Sequence, residues 1–484
     1  MSGTTLARIS TFTLAMLITG TVDSIRNLPA SALFGSTLIF FFVFSAVVFL
    51  IPAALVSAEL SANMPQQGGI YYWVRAAFGE KVAFLAVWLQ WINTIFWFPT
   101  IFSFVAGTAT YFISPELAQN KVYLISAILT ILWFLTWINL KGIHVAARFT
   151  SICTLVGLIA PMGLIILLGV SWISLGKPIQ IHLTASSLLP HLNDSENWIA
   201  LTAIMTAFLG MELATSHIRE VRNPQKAFPR ALLVSVILIL ATMILSSLAI
   251  AFVLPQHEIN LVNGVMQTFS TFFKAYNLSW LMPVLTFMLI IGTMGSIIGW
   301  IISPVKGLLQ AAQQDYLPAF LRRENSRGVP QNLLIAQAIL VTFVCLSFLL
   351  MPSINGSYWL LTALSTQLYM LMYVMMFIAA LYLRYKKSYP TPSETRNFMI
   401  PGGKLGMWAT CLLGLFGCCI TLIVGFFPPG NIDVGPAWHY EMMFISGLVL
   451  MITPVSIAYI YKDREKLFSK WFVTTTTPTI VEEE

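Results

Sequence analysis

W-I-A-L-T-A-I-M-T-A-F-L-G-M-E-L-A-T-S-H-I-R-E-V-R-N-P-Q-K-A-F-P, residues 198–229, is the stretch on which the reading of the whole chain turns. It starts as a helix apolar enough to enter a bilayer. Midway it meets Gly210 and then a carboxylate, Glu212, and it leaves through a basic loop carrying Arg219, Arg222, Lys226 and Arg230. A charge at membrane depth costs about 2.5–3.5 kcal/mol even on the lenient insertion scale, so an acid there is a functional-site candidate by default. The structural alternative is a neutral Glu212 that makes one interhelical hydrogen bond. Glycine beside the acid weakens the helix where the charge is buried, and broken helices near the midplane are where transporters hold cargo.

The surrounding chain fits a bilayer. Of 484 residues, 57% are hydrophobic and 9% charged, with a mean hydropathy of +0.81. A water-soluble fold cannot hide that much apolar surface, whereas one membrane crossing needs only about 20 apolar residues. The net charge of +7 implies no nucleic-acid partner, because the basic residues lie in short loops between apolar runs. No cleavable leader is evident before the first apolar run. Cys153, Cys345, Cys411, Cys418 and Cys419 all fall in apolar runs without metal-ligand spacing and read as packing residues.

Twelve spans are expected, at about 9–30, 36–61, 82–113, 121–140, 148–174, the quoted stretch, 228–254, 280–312, 332–351, 357–383, 405–427 and 439–461. Between the seventh and eighth, residues 257–276 have helical periodicity but too many polar interruptions to cross. They read as an amphipathic helix lying on the outer surface. Gly292, Gly295 and Gly299 form a small-residue stripe that allows close helix contact. One membrane domain is expected over 1–462, followed by a short, disordered cytoplasmic tail over 463–484. Distributing the 26 Lys and Arg over alternate loops puts only Lys121, Lys177 and Lys274 outside and Arg26 within a span. Both termini are therefore expected in the cytoplasm.

The first span repeats the pattern of the sixth. It reads I-T-G-T-V-D-S-I-R-N-L-P over 18–29, with Asp23 three residues after Gly20, as Glu212 follows Gly210. An odd number of spans separates the two, so the second unit enters the membrane inverted. Paired interrupted segments in matching halves point to an inverted-repeat transporter, with repeats at about 9–174 and 196–384 and two spans, at 405–461, appended.

Asp23 could accept an ammonium group or a proton; its rival role is a local salt bridge to Arg26. Trp300, beside Gly299, could close over a substrate or simply pack. Tyr369 and Tyr373 are four apart and share a helix face, offering two hydroxyls to a polar ligand. No nucleophile elbow, phosphate loop or zinc motif appears, so an intramembrane enzyme is disfavoured and no cofactor is expected.

F-L-G-M-E (208–212) followed by E-V-R-N-P-Q-K-A-F-P (220–229) resembles the sixth-helix signature of the amino acid–polyamine–organocation superfamily. P-Q-H-E-I-N-L-V-N-G-V-M-Q-T-F (255–269), G-W-I-I-S-P-V-K-G-L-L-Q-A-A-Q-Q-D-Y-L-P (299–318), G-V-P (328–330) and I-P-G-G-K (400–404) are similar to the bacterial glutamate/GABA antiporters. The resemblance implies an all-α, LeuT-type 5+5 inverted repeat in the bacterial cytoplasmic membrane, carrying an amino acid or amine. It places Val22, Asp23 and Ser24 on the unwound part of the first span. It places Thr206, Phe208 and Glu212 on the sixth, with Glu212 as the coupling or proton-carrying residue, and Trp300, Tyr369 and Tyr373 around the substrate. Departures are V-D-S in place of the usual G-x-G, Ser296 where the glutamate/GABA type has an acid, Thr206 where the arginine/agmatine exchangers have tryptophan, and a tail too short to plug the inner mouth. The expected activity is secondary active amino acid exchange. Proton-coupled uptake and a sensor with a transporter fold are the alternatives.

Overall fold

The computed structural model describes residues 10–64, 69–142, 152–153, 155–190, 195–214, 224–312, 316–385 and 398–475. Among them every regular element is helical, and ten helices are long and apolar enough to cross a membrane. In chain order the elements used below are α1 (Thr11–Val22), α2 (Gly35–Asn63), α3 (Gly69–Phe78), α4 (Glu80–Phe112), α5 (Lys121–Leu140), α6 (Leu155–Ser174), α7 (Ser195–Ala207) and α8 (Met211–Ala214). They continue as α9 (Pro224–Val253), α10 (Gly264–Ala275), α11 (Met282–Ala312), α12 (Gln331–Leu350), α13 (Ile354–Tyr385), α14 (Gly403–Val424) and α15 (Ala437–Thr475). The two expected spans missing from the ten are the interrupted ones, whose apolar segments Thr11–Gly20 and Trp198–Leu213 are short.

Burial sorts the helices into a core and a rim. The apolar window of α4 is 78% buried, against 22% for the end of the chain in α15. α4 lies along α13 and α11, and α1 lies along α9. The rim helices α14 and α15 expose Leu412, Phe416, Ile423, Leu450 and Ile457. In water such a surface would drive aggregation; against acyl chains it costs nothing to leave bare.

Two sequence expectations change in the fold, and a third holds at one position. The amphipathic segment forms α10, but Val265, Met266, Phe269 and Phe272 are fully buried, so its apolar face is spent on the protein and not on lipid. Gly264 comes so close to Pro29 that a Cβ would lie 2.9 Å from the proline ring, which fastens α10 to the chain just past the first break. Second, the helix of the last span does not stop near 461 but continues as α15 to Thr475, thirteen residues into the expected tail. Third, of the glycine stripe on α11, Gly292 meets Gly157 of α6 backbone to backbone. A Cβ on Gly292 would stand 2.1 Å from the Gly157 Cα, so no other residue fits either place without moving a helix. The expected start of the fifth span, 148–151, lies outside the described residues.

A polar knot closes the bundle near the end of α2. Buried Glu59 accepts from Arg384 at the end of α13 and from the Ile400 amide at 2.7 Å. Asn63 Nδ2 donates to the Glu59 carbonyl and, at 3.0 Å, to the Phe398 carbonyl.

Candidate functional site

Two backbone interruptions face one another in the middle of the bundle. α1 ends at Val22; Asp23 and Ser24 are extended, with ψ of 133° and 112°, before a helical turn resumes at Ile25. The Asp23 amide still closes the last bond of α1, to the Thr19 carbonyl at 2.8 Å, and the break falls just after it, freeing backbone polar groups at membrane depth. The second interruption follows α7, where residues 208–210 form a turn that α8 leaves. Gly210 has φ of +96°, a conformation that a side chain disfavours, so this glycine sets the break and points Glu212 inward.

Between the breaks lies a cavity of about 350 Å³. That is the low end for small-molecule sites, suited to a ligand of amino-acid size. Its wall includes Val22, Asp23 and Ser24 from the first break, Thr206 and Gly210 from the second, Gln90 and Trp97 from α4, Trp300 from α11 and Tyr369 from α13.

Asp23 and Arg26 do not pair, which removes the local salt bridge as an alternative. Asp23 Oδ2 accepts from Thr242 Oγ1 of α9 at 2.8 Å, while its Oδ1 is buried without a hydrogen-bond partner. Arg26 leaves the same segment toward other helices. Its Nη1 donates to Thr100 Oγ1 at 2.8 Å and to the Tyr358 hydroxyl at 3.3 Å, and its guanidinium carbon sits 5.3 Å from the Trp97 ring centroid. Trp97 in turn lies 5.6 Å from Trp300, so the two indoles and the guanidinium form one continuous wall.

Glu212 is buried just behind the cavity lining. Gln90 Nε2 donates to it at 3.1 Å, and the Tyr369 and Tyr373 hydroxyls also donate to its carboxyl. Tyr373 can do so because its oxygen already accepts from the Gly210 amide at 3.1 Å, which turns its only proton toward the acid. Two of the three donors, Gln90 and Tyr369, line the cavity, so a change in charge at Glu212 is felt by the ligand through them.

The remaining expected site residues divide. Thr206 lines the cavity and shares a hydrogen bond with Thr366. Phe208 does not line it: its ring packs against Phe42, 5.9 Å between centroids, at the back of the second break. Tyr373 likewise faces Glu212 and Phe49 instead of the cavity. The Ser296 side chain lies outside the described residues. Sequence reading missed Gln90, Trp97 and Thr242 as site residues. For α4 a signal existed: Gln90, Asn93 and Trp97 are spaced three and four apart and so share a face. Thr242 had none, since a threonine in a membrane helix usually bonds its own chain.

The chain matches the family model described as amino acid permease over residues 9–454. It is 39% identical over 444 residues to an uncharacterized transporter of Legionella pneumophila, covering 92% of this chain and 95% of that one. It is 30% identical over 465 residues to a protein named glutamate/gamma-aminobutyrate antiporter from Lactococcus lactis, covering 94% and 91%. Among solved structures, a manganese transporter of Eremococcus coleocola superposes with a TM-score of 0.57 at 14% identity, over 96% of this chain and 97% of that one, a likeness of fold. The sequence match, the helical bundle and the buried polar cavity agree: the chain belongs to the amino acid permease family of the amino acid–polyamine–organocation superfamily, and it is a multi-pass membrane transporter of amino acids.

Proposed function

We propose that the protein is an exchanger that moves an amino acid in one direction and an amino acid or amine in the other, by alternating access across a bacterial cytoplasmic membrane. The chain crosses twelve times with both termini inside, residues 1–462 forming one transport domain built from two inverted repeats and two added spans. The observation that carries the reading is the cavity between the breaks, whose wall holds an acid with one unpartnered oxygen, Asp23. A substrate ammonium group satisfies that oxygen. Backbone amides at the first break, from Ser24 into the helical turn that follows, take the α-carboxylate, and backbone carbonyls at the break after Thr206 share the ammonium. Trp300 covers the ligand from the α11 side, with Trp97 behind it. Phe208 and Tyr373 hold the second break in shape from behind. Glu212 senses occupancy through Gln90 and Tyr369, and a proton taken up there would couple exchange to pH.

The relative from Lactococcus lactis, named a glutamate/gamma-aminobutyrate antiporter, supports exchange between an acidic amino acid and a second amino acid. Counterflow in proteoliposomes tests the proposal. Labelled amino acid should accumulate only in vesicles preloaded with unlabelled substrate. Accumulation that instead follows an imposed proton gradient, without preloading, makes the protein an uptake permease; no accumulation in either case makes it a sensor.

A further inference from the structure

Arg26 is an unusual residue to find at the centre of a membrane bundle. Only 4% of its surface is exposed, and that remainder borders the cavity. Guanidinium stays charged at any physiological pH, so it cannot escape burial by losing a proton as a carboxyl can gain one. Among the described residues its side-chain contacts are two hydroxyl oxygens and an indole face, all uncharged, and its Nε is buried with no partner. The nearest acid along the chain, Asp23, is committed to Thr242 on a different helix and forms no ion pair with it. A buried cation without an anion is strongly unfavourable unless an anion arrives.

The geometry points to Arg26 as the anchor for a second carboxylate on the substrate, and so as the residue that selects acidic amino acids. This assignment rests on the exchange reading above. Asp23 is held against α9, whereas Arg26 is held against α4 and α13. With the α-ammonium on Asp23 and the α-carboxylate on backbone amides at the first break, the group left for Arg26 on the cavity wall is a second carboxylate, carried on the substrate side chain. A planar guanidinium with an uncommitted Nε donor receives a carboxylate through parallel N–H bonds, the recognition for which arginine is better suited than lysine. Trp97 beneath the guanidinium fixes its plane, and Thr100 and Tyr358 fix its rotation about the chain.

The test compares acid and amide pairs of equal shape, glutamate with glutamine and aspartate with asparagine, as competitors for exchange in proteoliposomes. Wild type should prefer the acid in at least one pair by about 10-fold or more, the range for a charge-assisted hydrogen bond to a buried group. In Arg26→Gln that ratio should fall to about one. Arg26→Lys, with charge but no fork, should lie between. Wild type that exchanges the neutral amides with no preference for either acid overturns the assignment without any variant. So does an Arg26→Gln protein that loses acid and amide equally, since the guanidinium then serves the α-carboxylate common to both. If wild type exchanges no amino acid at all, the transport reading fails first, and that result is distinct from either of the others.

Discussion

Asp23→Asn offers the sharpest test of the proposed pocket, because the structure separates the residue's two oxygens. Asp23 lines the cavity; its Oδ2 accepts from Thr242 Oγ1 at 2.8 Å, and its Oδ1 is buried without a hydrogen-bond partner among the described residues. Asparagine in the same rotamer keeps its amide oxygen on Thr242, so the fold loses little. Its NH2 then stands where Oδ1 stood, and a donor meets the substrate ammonium in place of an anionic acceptor. The loss is at least one charge-assisted hydrogen bond, about 1.5–3 kcal/mol, or roughly 10- to 150-fold in affinity. Thr242→Val is the companion. It removes the support of Oδ2 but leaves the charge and the oxygen that meets the ligand, so affinity should fall less than in Asp23→Asn. Binding of the substrate selected by counterflow, measured by scintillation proximity on purified protein, ranks the three. Thermal unfolding in detergent should be near wild type for Asp23→Asn, which separates a binding defect from a folding one. Equal affinity of wild type and Asp23→Asn would refute the pocket as drawn, since the unpartnered oxygen would then face no ligand.

Trp300→Ala should abolish most exchange while the protein stays folded, and Trp300→Phe should retain part of it; normal exchange in Trp300→Ala would reduce the residue to packing. Glu212→Gln should keep substrate binding within a few-fold, because Glu212 stands behind the lining, and should flatten the dependence of exchange rate on pH. An unchanged pH profile would remove Glu212 from coupling. Gly157→Ala places a Cβ 2.3 Å from the Gly292 Cα, so α6 and α11 must part, and thermal stability should fall by about 1–3 kcal/mol, the cost of overpacking; Gly163→Ala on the same helix, with open space around it, should be silent. Deleting residues from Phe472 onward should leave the pH profile of exchange as it is, and a shifted profile would show that the end of α15 gates the inner mouth.

The bundle was legible because bilayer burial writes itself into composition. Spans 121–140 and 357–383 were readable to within a few residues from apolar length alone, and α1 ends at Val22, inside the ten residues where Gly20, Asp23, Arg26 and Pro29 interrupt the apolar run. What stayed hidden was which side of a helix each polar group takes. Asp23 and Arg26, one turn apart in a regular helix, left a salt bridge open as the rival reading; two extended residues between helical segments send them to different walls. Phe208 carried the family's pocket position, yet the turn at 208–210 swings its ring onto Phe42. Thr242 and Gly157 matter only through what faces them across space, and a chain read in order holds no record of that. α10 misled for a related reason: its periodicity reports an apolar face without saying whether lipid or protein covers it.

The knot at Glu59 has a consequence for the covalent continuity of the chain. Arg384 and Ile400 bracket residues 386–397 in sequence, and both are held by the same carboxylate, with Phe398 pinned two residues earlier by Asn63. Both ends of that connection are thus docked on α2 independently of the connection itself. A protease site placed within 386–397 and cut after purification should yield two polypeptides that travel as one particle. α14 and α15 should stay attached after the cut, because Gln367 of α13 donates to the Thr421 carbonyl at 2.8 Å and Trp88 of α4 to the Met451 carbonyl at 2.9 Å, and Glu59→Gln would free only the ends of the cut connection.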